Sequence, residues 1–129
     1  NKGDFKDTVN EQPGSSSVIQ GVENDRFGIG YSGIGYITSG VKALKLSQSG
    51  RWNGESFTPA YANTLNGKYP LSRFLYIYVN RNPKAALDPL VLEFISYVLS
   101  KEGQEIVVKD GYYPLPASIA DRELKKLKK

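Results

Sequence analysis

Residues 74–79 constrain the fold more than any other part of this chain, because six apolar or aromatic side chains follow one another there without a charge. The segment consists of Phe74, Leu75, Tyr76, Ile77, Tyr78 and Val79. In a β-strand, successive side chains point to opposite faces of the sheet, so one face of this strand is aromatic and the other aliphatic. A strand that is apolar on both faces must be covered on both, as in a sheet layered by helices. The segment therefore predicts α/β architecture.

A helix is predicted soon after this strand. Asp88 is a good N-cap residue, and Pro89 follows at the first helical position, where its missing N–H costs nothing. An apolar stripe continues from there and is expected to pack on a sheet; it consists of Leu90, Val91, Phe94, Ile95 and Val98. A strand followed by an apolar-striped helix is typical of α/β proteins.

Local signals predict several further elements. Short helices are expected at about residues 14–23, within 59–67, at 100–107 and at 117–128, and a strand with one wet face is expected at 41–46. Gly111 is placed to end the third of these helices in the left-handed conformation. Glycine alternates with apolar residues through 27–36, which indicates a segment pressed closely against another backbone or a ligand cleft.

Composition excludes most catalytic chemistry. The chain of 129 residues has neither histidine nor cysteine, so the commonest general base, the commonest transition-metal ligands and the familiar nucleophile pairs are all missing. Its thirteen acidic residues lie mostly in polar, lysine-rich surroundings that favour ordinary solvated carboxylates. We therefore expect no enzymatic activity, no cofactor and no metal site.

Charge gives only weak evidence for a nucleic-acid partner. The net charge is +4, and five of the seventeen basic residues lie in the last eight positions. The nine tyrosines are not interleaved with lysine and arginine as a nucleic-acid groove requires. A basic nucleic-acid binder, whose affinity would fall steeply with salt, is the least favoured hypothesis, and we expect no nucleic acid as partner.

The segment Gly14-Ser15-Ser16-Ser17 is the one local group of residues that suits a small anion. It stands at the predicted start of a helix, where serine hydroxyls and free backbone N–H groups can bind an oxyanion. Capping of the helix by the serine hydroxyls is the commoner role at such a position. Both roles of Ser15, Ser16 and Ser17 stay open at this point.

Five segments in a fixed order carry a family resemblance. They are residues 27–36 (FGIGYSGIGY), 41–44 (VKAL), 69–79 (YPLSRFLYIYV), 99–104 (LSKEGQ) and 111–115 (GYYPL). In this order and spacing the chain resembles the phosphate-binding proteins of phosphate ABC transporters, from about Gln12 to Leu115. The resemblance implies a partial type II periplasmic-binding-protein fold, with mixed sheets flanked by helices and two lobes that close on an oxyanion.

The resemblance places this chain in the C-terminal part of such a protein. Residues 1–71 would belong to the second lobe, and residues 72–129 would return to the first lobe as a strand and its covering helices. The crossing between lobes makes Tyr69, Pro70, Ser72 and Arg73 the candidate hinge. The family's leader and its Arg…Gly-Ser-Gly-Thr phosphate motif are not found in this sequence, so we expect weak or no phosphate binding by this piece alone.

The resemblance also implies the partners and the compartment. They are inorganic phosphate, the membrane permease of the transporter, and a periplasmic or extracytoplasmic location. Because such a piece would expose sheet edges and apolar faces when alone, a noncatalytic assembly module is the alternative function. Its partner would be a complementary N-terminal segment or a swapped copy of the chain itself.

Overall fold

Helices dominate the part of the chain that the computed structural model describes, residues 3–48 and 54–127. The α-helices there are α1 (Ser15–Asn24), α2 (Tyr61–Leu65), α3 (Pro89–Val98), α4 (Lys101–Lys109) and α5 (Ala117–Leu127), with a single 3₁₀ turn at Ile34–Tyr36. All five occur where the sequence predicted helices. The chain separates into two compact units, Asn1–Leu44 and Lys45–Lys129. The predicted lobe boundary at residues 71 and 72 lies inside the second unit and stays a prediction.

In the first unit, the glycine-containing segment 27–36, called the glycine strap below, lies against α1. A Cβ atom added to Gly30 would stand 2.9 Å from side-chain carbons of both Val18 and Val22. Glycine is therefore needed at this position for the strap to approach the helix so closely. The glycine pattern predicted contact with another backbone or a ligand cleft, whereas at Gly30 the strap lies against side chains of α1 and forms no strand among the residues described.

In the second unit, α3 and α4 meet at a tight corner. Asp88 caps α3 by accepting hydrogen bonds from the backbone N–H groups of Leu90 and Val91, at 2.9 and 3.2 Å. Ser100 caps α4 by accepting from the N–H of Gly103, at 3.2 Å. Local capping signals thus set the starts of both helices, and the cap at Asp88 is the one that the sequence predicted.

Gln104 ties this corner to the segment before α5. Its Nε2 donates to the carbonyl oxygen of Val98 at 2.8 Å, and its Oε1 accepts from the backbone N–H of Leu115 at 2.7 Å. One side chain therefore holds the end of α3 and the approach to α5 together. The sequence analysis missed this role, because nothing in the local pattern distinguishes Gln104 from a surface glutamine.

The buried core is small. Among the residues described, the buried apolar side chains are Leu87, Ile95 and Ala120, and none of them is fully enclosed. Ile95 is the buried residue of α3, the helix that contacts both α4 and α5. The predicted stripe of α3 is therefore divided, because Leu90 and Phe94 stay 79% and 59% exposed.

Residues 74–78 are exposed, and no other part of the described chain covers them. Phe74 to Tyr78 expose between 46% and 91% of their surface, and no strand ladder includes them in residues 54–127. The strand pairing that the described chain does contain is an isolated antiparallel bridge between Leu46 and Phe57. The mixed sheet is thus not formed by these residues, since a ladder needs neighbouring backbone groups that they do not supply. The expectation that this piece alone exposes apolar faces is confirmed.

Candidate functional site

The N-terminus of α1 carries the candidate anion site. Gly14 is the N-cap residue, in extended conformation, and its carbonyl oxygen accepts from the N–H of Val18 at 3.1 Å. No side chain caps this end. The predicted capping by serine hydroxyls is therefore wrong, because the three serines lie inside the first helical turn and glycine occupies the capping position. Ser15, Ser16 and Ser17 are brought together there as consecutive residues.

The electrostatics of this helix end favour a negative ligand. The first N–H groups of a helix have no partner within it, and the aligned peptide dipoles place partial positive charge at this end. The first turn of α1 contains no acidic residue that would neutralise it. Ser16 is exposed, and Ser15 and Ser17 are half-buried.

The glycine strap of the first unit reaches the same helix end. The Ser32 hydroxyl donates to the carbonyl oxygen of Ser15, at 3.4 Å. Gly30, two residues earlier, lies against Val18 and Val22. The strap therefore supports the first two turns of α1 from one side. The sequence analysis singled out the glycines but missed Ser32, which only the folded path of the strap brings to Ser15.

The candidate hinge residues form a hydrogen-bonded turn. The N–H of Ser72 donates to the carbonyl oxygen of Tyr69 at 3.2 Å, and the Ser72 hydroxyl donates to the same oxygen at 2.8 Å. The N–H of Tyr69 donates to the backbone carbonyl oxygen of Asn63 in α2 at 3.0 Å. Pro70 and Arg73 are exposed. This turn links α2 to residues 74–79, and its role as a hinge stays a prediction.

Other features of the described residues offer no second site. An open groove of about 380 Å³ lies beside the Leu46–Phe57 bridge. Two of its polar side chains already have partners within the chain: the Gln48 amide donates to the carbonyl oxygen of Gly67 at 2.6 Å, and the Lys68 ammonium lies 5.1 Å from the Phe57 ring centre. No cluster of three metal-ligating side chains occurs in residues 3–48 and 54–127. Over the same residues, no helix combines the length and apolar character that crossing a membrane requires.

The sequence matches a family model over most of its length. The model describes a PBP superfamily domain and covers residues 3–102. The chain belongs to this superfamily. The match confirms the periplasmic-binding-protein fold that the sequence resemblance implied.

Individual relatives specify which kinds of protein this chain is similar to within the PBP superfamily. The phosphate-binding protein PstS of Pseudomonas aeruginosa is 55% identical over 127 residues, which is 98% of this chain and 38% of that protein. The protein SphX of Synechococcus elongatus is 37% identical over 101 residues, 78% of this chain and 29% of its own length. PstS of Staphylococcus aureus strain MRSA252 is 32% identical over 129 residues, 99% of this chain and 38% of its own length.

These relatives confirm the resemblance to phosphate-binding proteins. The chain spans less than two fifths of the length of each of them, in agreement with its being a portion of such a protein.

Proposed function

We propose that this chain contributes part of the binding cleft of a phosphate receptor that delivers phosphate to an ABC transporter without altering it chemically. Two of the relatives described above are named as phosphate-binding proteins. The N-terminus of α1 assigns this proposal to particular residues. No side chain caps this helix end, and its first turn contains no acidic residue.

In this proposal, the backbone N–H groups and hydroxyls of Ser15, Ser16 and Ser17 donate to phosphate oxygens. A phosphate that loses its water shell needs many convergent donors and usually an arginine. One helix end offers only a few donors. We therefore expect the 129-residue chain to bind phosphate weakly, with a dissociation constant above about 1 mM, equivalent to less than about 4 kcal/mol of binding free energy.

Nuclear magnetic resonance tests this assignment, because chemical shifts report weak binding residue by residue. Added phosphate should shift the amide signals of Ser15, Ser16 and Ser17. Ser16→Asp places a negative charge at the same helix end and should abolish these shifts through repulsion, while the helix itself is retained or stabilised.

The matched control is Ser118→Asp. Ser118 is an exposed serine in the first turn of α5, so this variant has the same substitution at a different helix N-terminus and should leave the phosphate-dependent shifts of α1 intact. Equal shifts at both helix ends, or shifts that persist in Ser16→Asp, would remove the serines from the site. Sulfate added at the same concentration measures how far this helix end distinguishes phosphate from a similar anion.

The larger arrangement belongs to the same proposal. Residues 1–71 contribute to the second lobe and residues 72–129 return to the first, where a mixed sheet forms with strands of the longer protein. The turn at Tyr69, Pro70, Ser72 and Arg73 is the crossing that bends when the lobes close. The partners are phosphate and the transporter's membrane permease, and the location is periplasmic or extracytoplasmic.

A second candidate function is noncatalytic assembly. The observation that favours it is the exposed apolar segment 74–78, together with the exposed Leu90 and Phe94 on α3. Contiguous exposed apolar surface of this kind marks a site of contact with another polypeptide. The partner is either a complementary segment or a second copy of the chain.

A further inference from the structure

We propose that Tyr113 is a latch across the predicted hinge, where it holds residues 54–71 against residues 72–127 in the arrangement seen here. This inference rests on the lobe boundary of the proposed function, and it is independent of where phosphate binds.

Tyr113 reaches across the predicted boundary from the segment between α4 and α5. Its hydroxyl donates to the carbonyl oxygen of Pro59 at 2.7 Å. Its ring contacts the Tyr61 ring, with the two centroids 5.6 Å apart and the planes tilted by 56°. Pro59 comes just before α2, and Tyr61 is the first residue of that helix. One side chain therefore contacts the start of α2 through both a hydrogen bond and an aromatic pair.

The segment that carries Tyr113 is fixed to α4 on both sides of the tyrosine. The backbone N–H of Tyr112 donates to the carbonyl oxygen of Val107 at 3.1 Å. The N–H of Leu115 donates to the side-chain oxygen of Gln104 at 2.7 Å. Both acceptors belong to α4, so the backbone on either side of Tyr113 follows α4 when that helix moves.

The other end of α2 is joined to the predicted hinge. The N–H of Tyr69 donates to the carbonyl oxygen of Asn63 in α2 at 3.0 Å, and the Ser72 hydroxyl donates to Tyr69 at 2.8 Å. Among the residues described, α2 makes no helix-to-helix packing contact with α3, α4 or α5. We expect α2 to move with the hinge turn, and the contacts of Tyr113 to oppose that movement.

The strength of these contacts suits a reversible latch. A hydrogen bond and an aromatic pair each change an equilibrium by roughly threefold to tenfold. Tyr61 and Tyr113 are each 38% exposed, so water can replace the hydrogen bond when it breaks. The latch therefore favours one arrangement without locking it. A ligand that binds another arrangement more tightly shifts this equilibrium and breaks the latch.

A distance between two spin labels tests the latch. The chain has no cysteine of its own, so labels can be attached through Ala62→Cys in α2 and Lys109→Cys in α4, both at exposed positions. Pulsed electron resonance should show one main distance and a minor second one. Tyr113→Phe removes the hydroxyl and keeps the ring. It should raise the ratio of the second distance to the main one by roughly threefold to tenfold.

A second variant and a control accompany this measurement. Tyr61→Ala removes the ring partner, and alanine favours the helical conformation of α2, so the ratio should rise here as well. Tyr97→Phe removes the hydroxyl of an exposed tyrosine in α3 and should leave the ratio unchanged. Circular dichroism checks that each variant keeps its helices. If Tyr113→Phe loses helical signal, the result from Tyr61→Ala decides.

The outcomes separate the latch from the proposed function. Two distances whose ratio does not respond to Tyr113→Phe would overturn the latch and leave the hinge in place. A single distance in every variant would mean that residues 54–71 and 72–127 move as one body, which removes the latch and the predicted lobe boundary together. Failure of the phosphate experiment at α1, with a ratio that still responds to Tyr113→Phe, would remove the anion site alone.

Discussion

At the scale of single residues, Gly103 shows how one missing side chain sets the corner between α3 and α4. A Cβ atom there would meet the carbonyl oxygen of Tyr97 and would lie 2.8 Å from the carbonyl oxygen of Val98. Both are backbone atoms, so neither can move aside alone. We expect Gly103→Ala to destabilise the second unit by about 1–3 kcal/mol through overpacking, measured by hydrogen exchange of the α4 amides.

Gly21 provides the matched control for this prediction. It lies within α1, and an added Cβ would meet nothing within 4 Å. Gly21→Ala should therefore stabilise α1 by about 0.5–1 kcal/mol through helix propensity alone. Replacement by alanine is thus expected to lower stability at Gly103 and to raise it at Gly21. Equal effects on stability would contradict the corner geometry. Sequence pattern alone could not separate the two glycines, because the clash at Gly103 comes from how the two helices meet.

At the scale of elements, the start of α3 depends on one carboxylate. The Asp88 side chain accepts from the N–H groups of Leu90 and Val91, and a lost N-cap of this kind costs about 0.5–2 kcal/mol. Asp88→Ala should therefore increase amide exchange in the first turn of α3. Asp88→Asn retains the side-chain oxygen and should stay close to the native protein. If both variants exchange alike, the cap does not stabilise the helix.

The helices were predictable and the strands were not, for a physical reason. The starts of α3 and α4 follow from Asp88, Pro89 and Ser100, whose hydrogen bonds are local, and Gly111 takes the left-handed conformation that its position predicted, with φ of 84°. A strand depends on a neighbouring strand, which need not be close in sequence, and residues 74–79 have no such neighbour within the described chain. The candidate site at Ser15–Ser17 was named from the sequence and stays a prediction, whereas the glycine at the capping position and the hydrogen bond from Ser32 could be found only in the fold.

At the scale of the whole molecule, few apolar side chains are buried and many are exposed among the residues described. The exposed apolar or aromatic residues occur in both units, Phe27 and Ile29 in the first and Tyr78 and Leu90 in the second. Burial of apolar surface is the main favourable term in folding, so each unit gains little from its own core. Covering these faces with another polypeptide would therefore add to the stability of the chain.

The pH dependence of stability should be set by carboxylates alone. The chain has no histidine, so stability should be nearly constant between pH 6 and 8. The pKa of Glu102 is lowered by its own backbone N–H and by the Ser100 hydroxyl, and the pKa of Glu123 is lowered by Lys126 and then Arg122.

A pKa that is lower in the folded than in the unfolded chain adds stability above the ordinary carboxyl value of 4.5, and this contribution is lost as the pH falls through the folded value. Thermal unfolding followed by circular dichroism from pH 8 to pH 2 should therefore show a plateau and then an acid decline. Glu123→Gln should make that decline shallower, by a small amount because the ion pairs are exposed. A transition between pH 6 and 8 would contradict this account, because no side chain of the chain ordinarily titrates there.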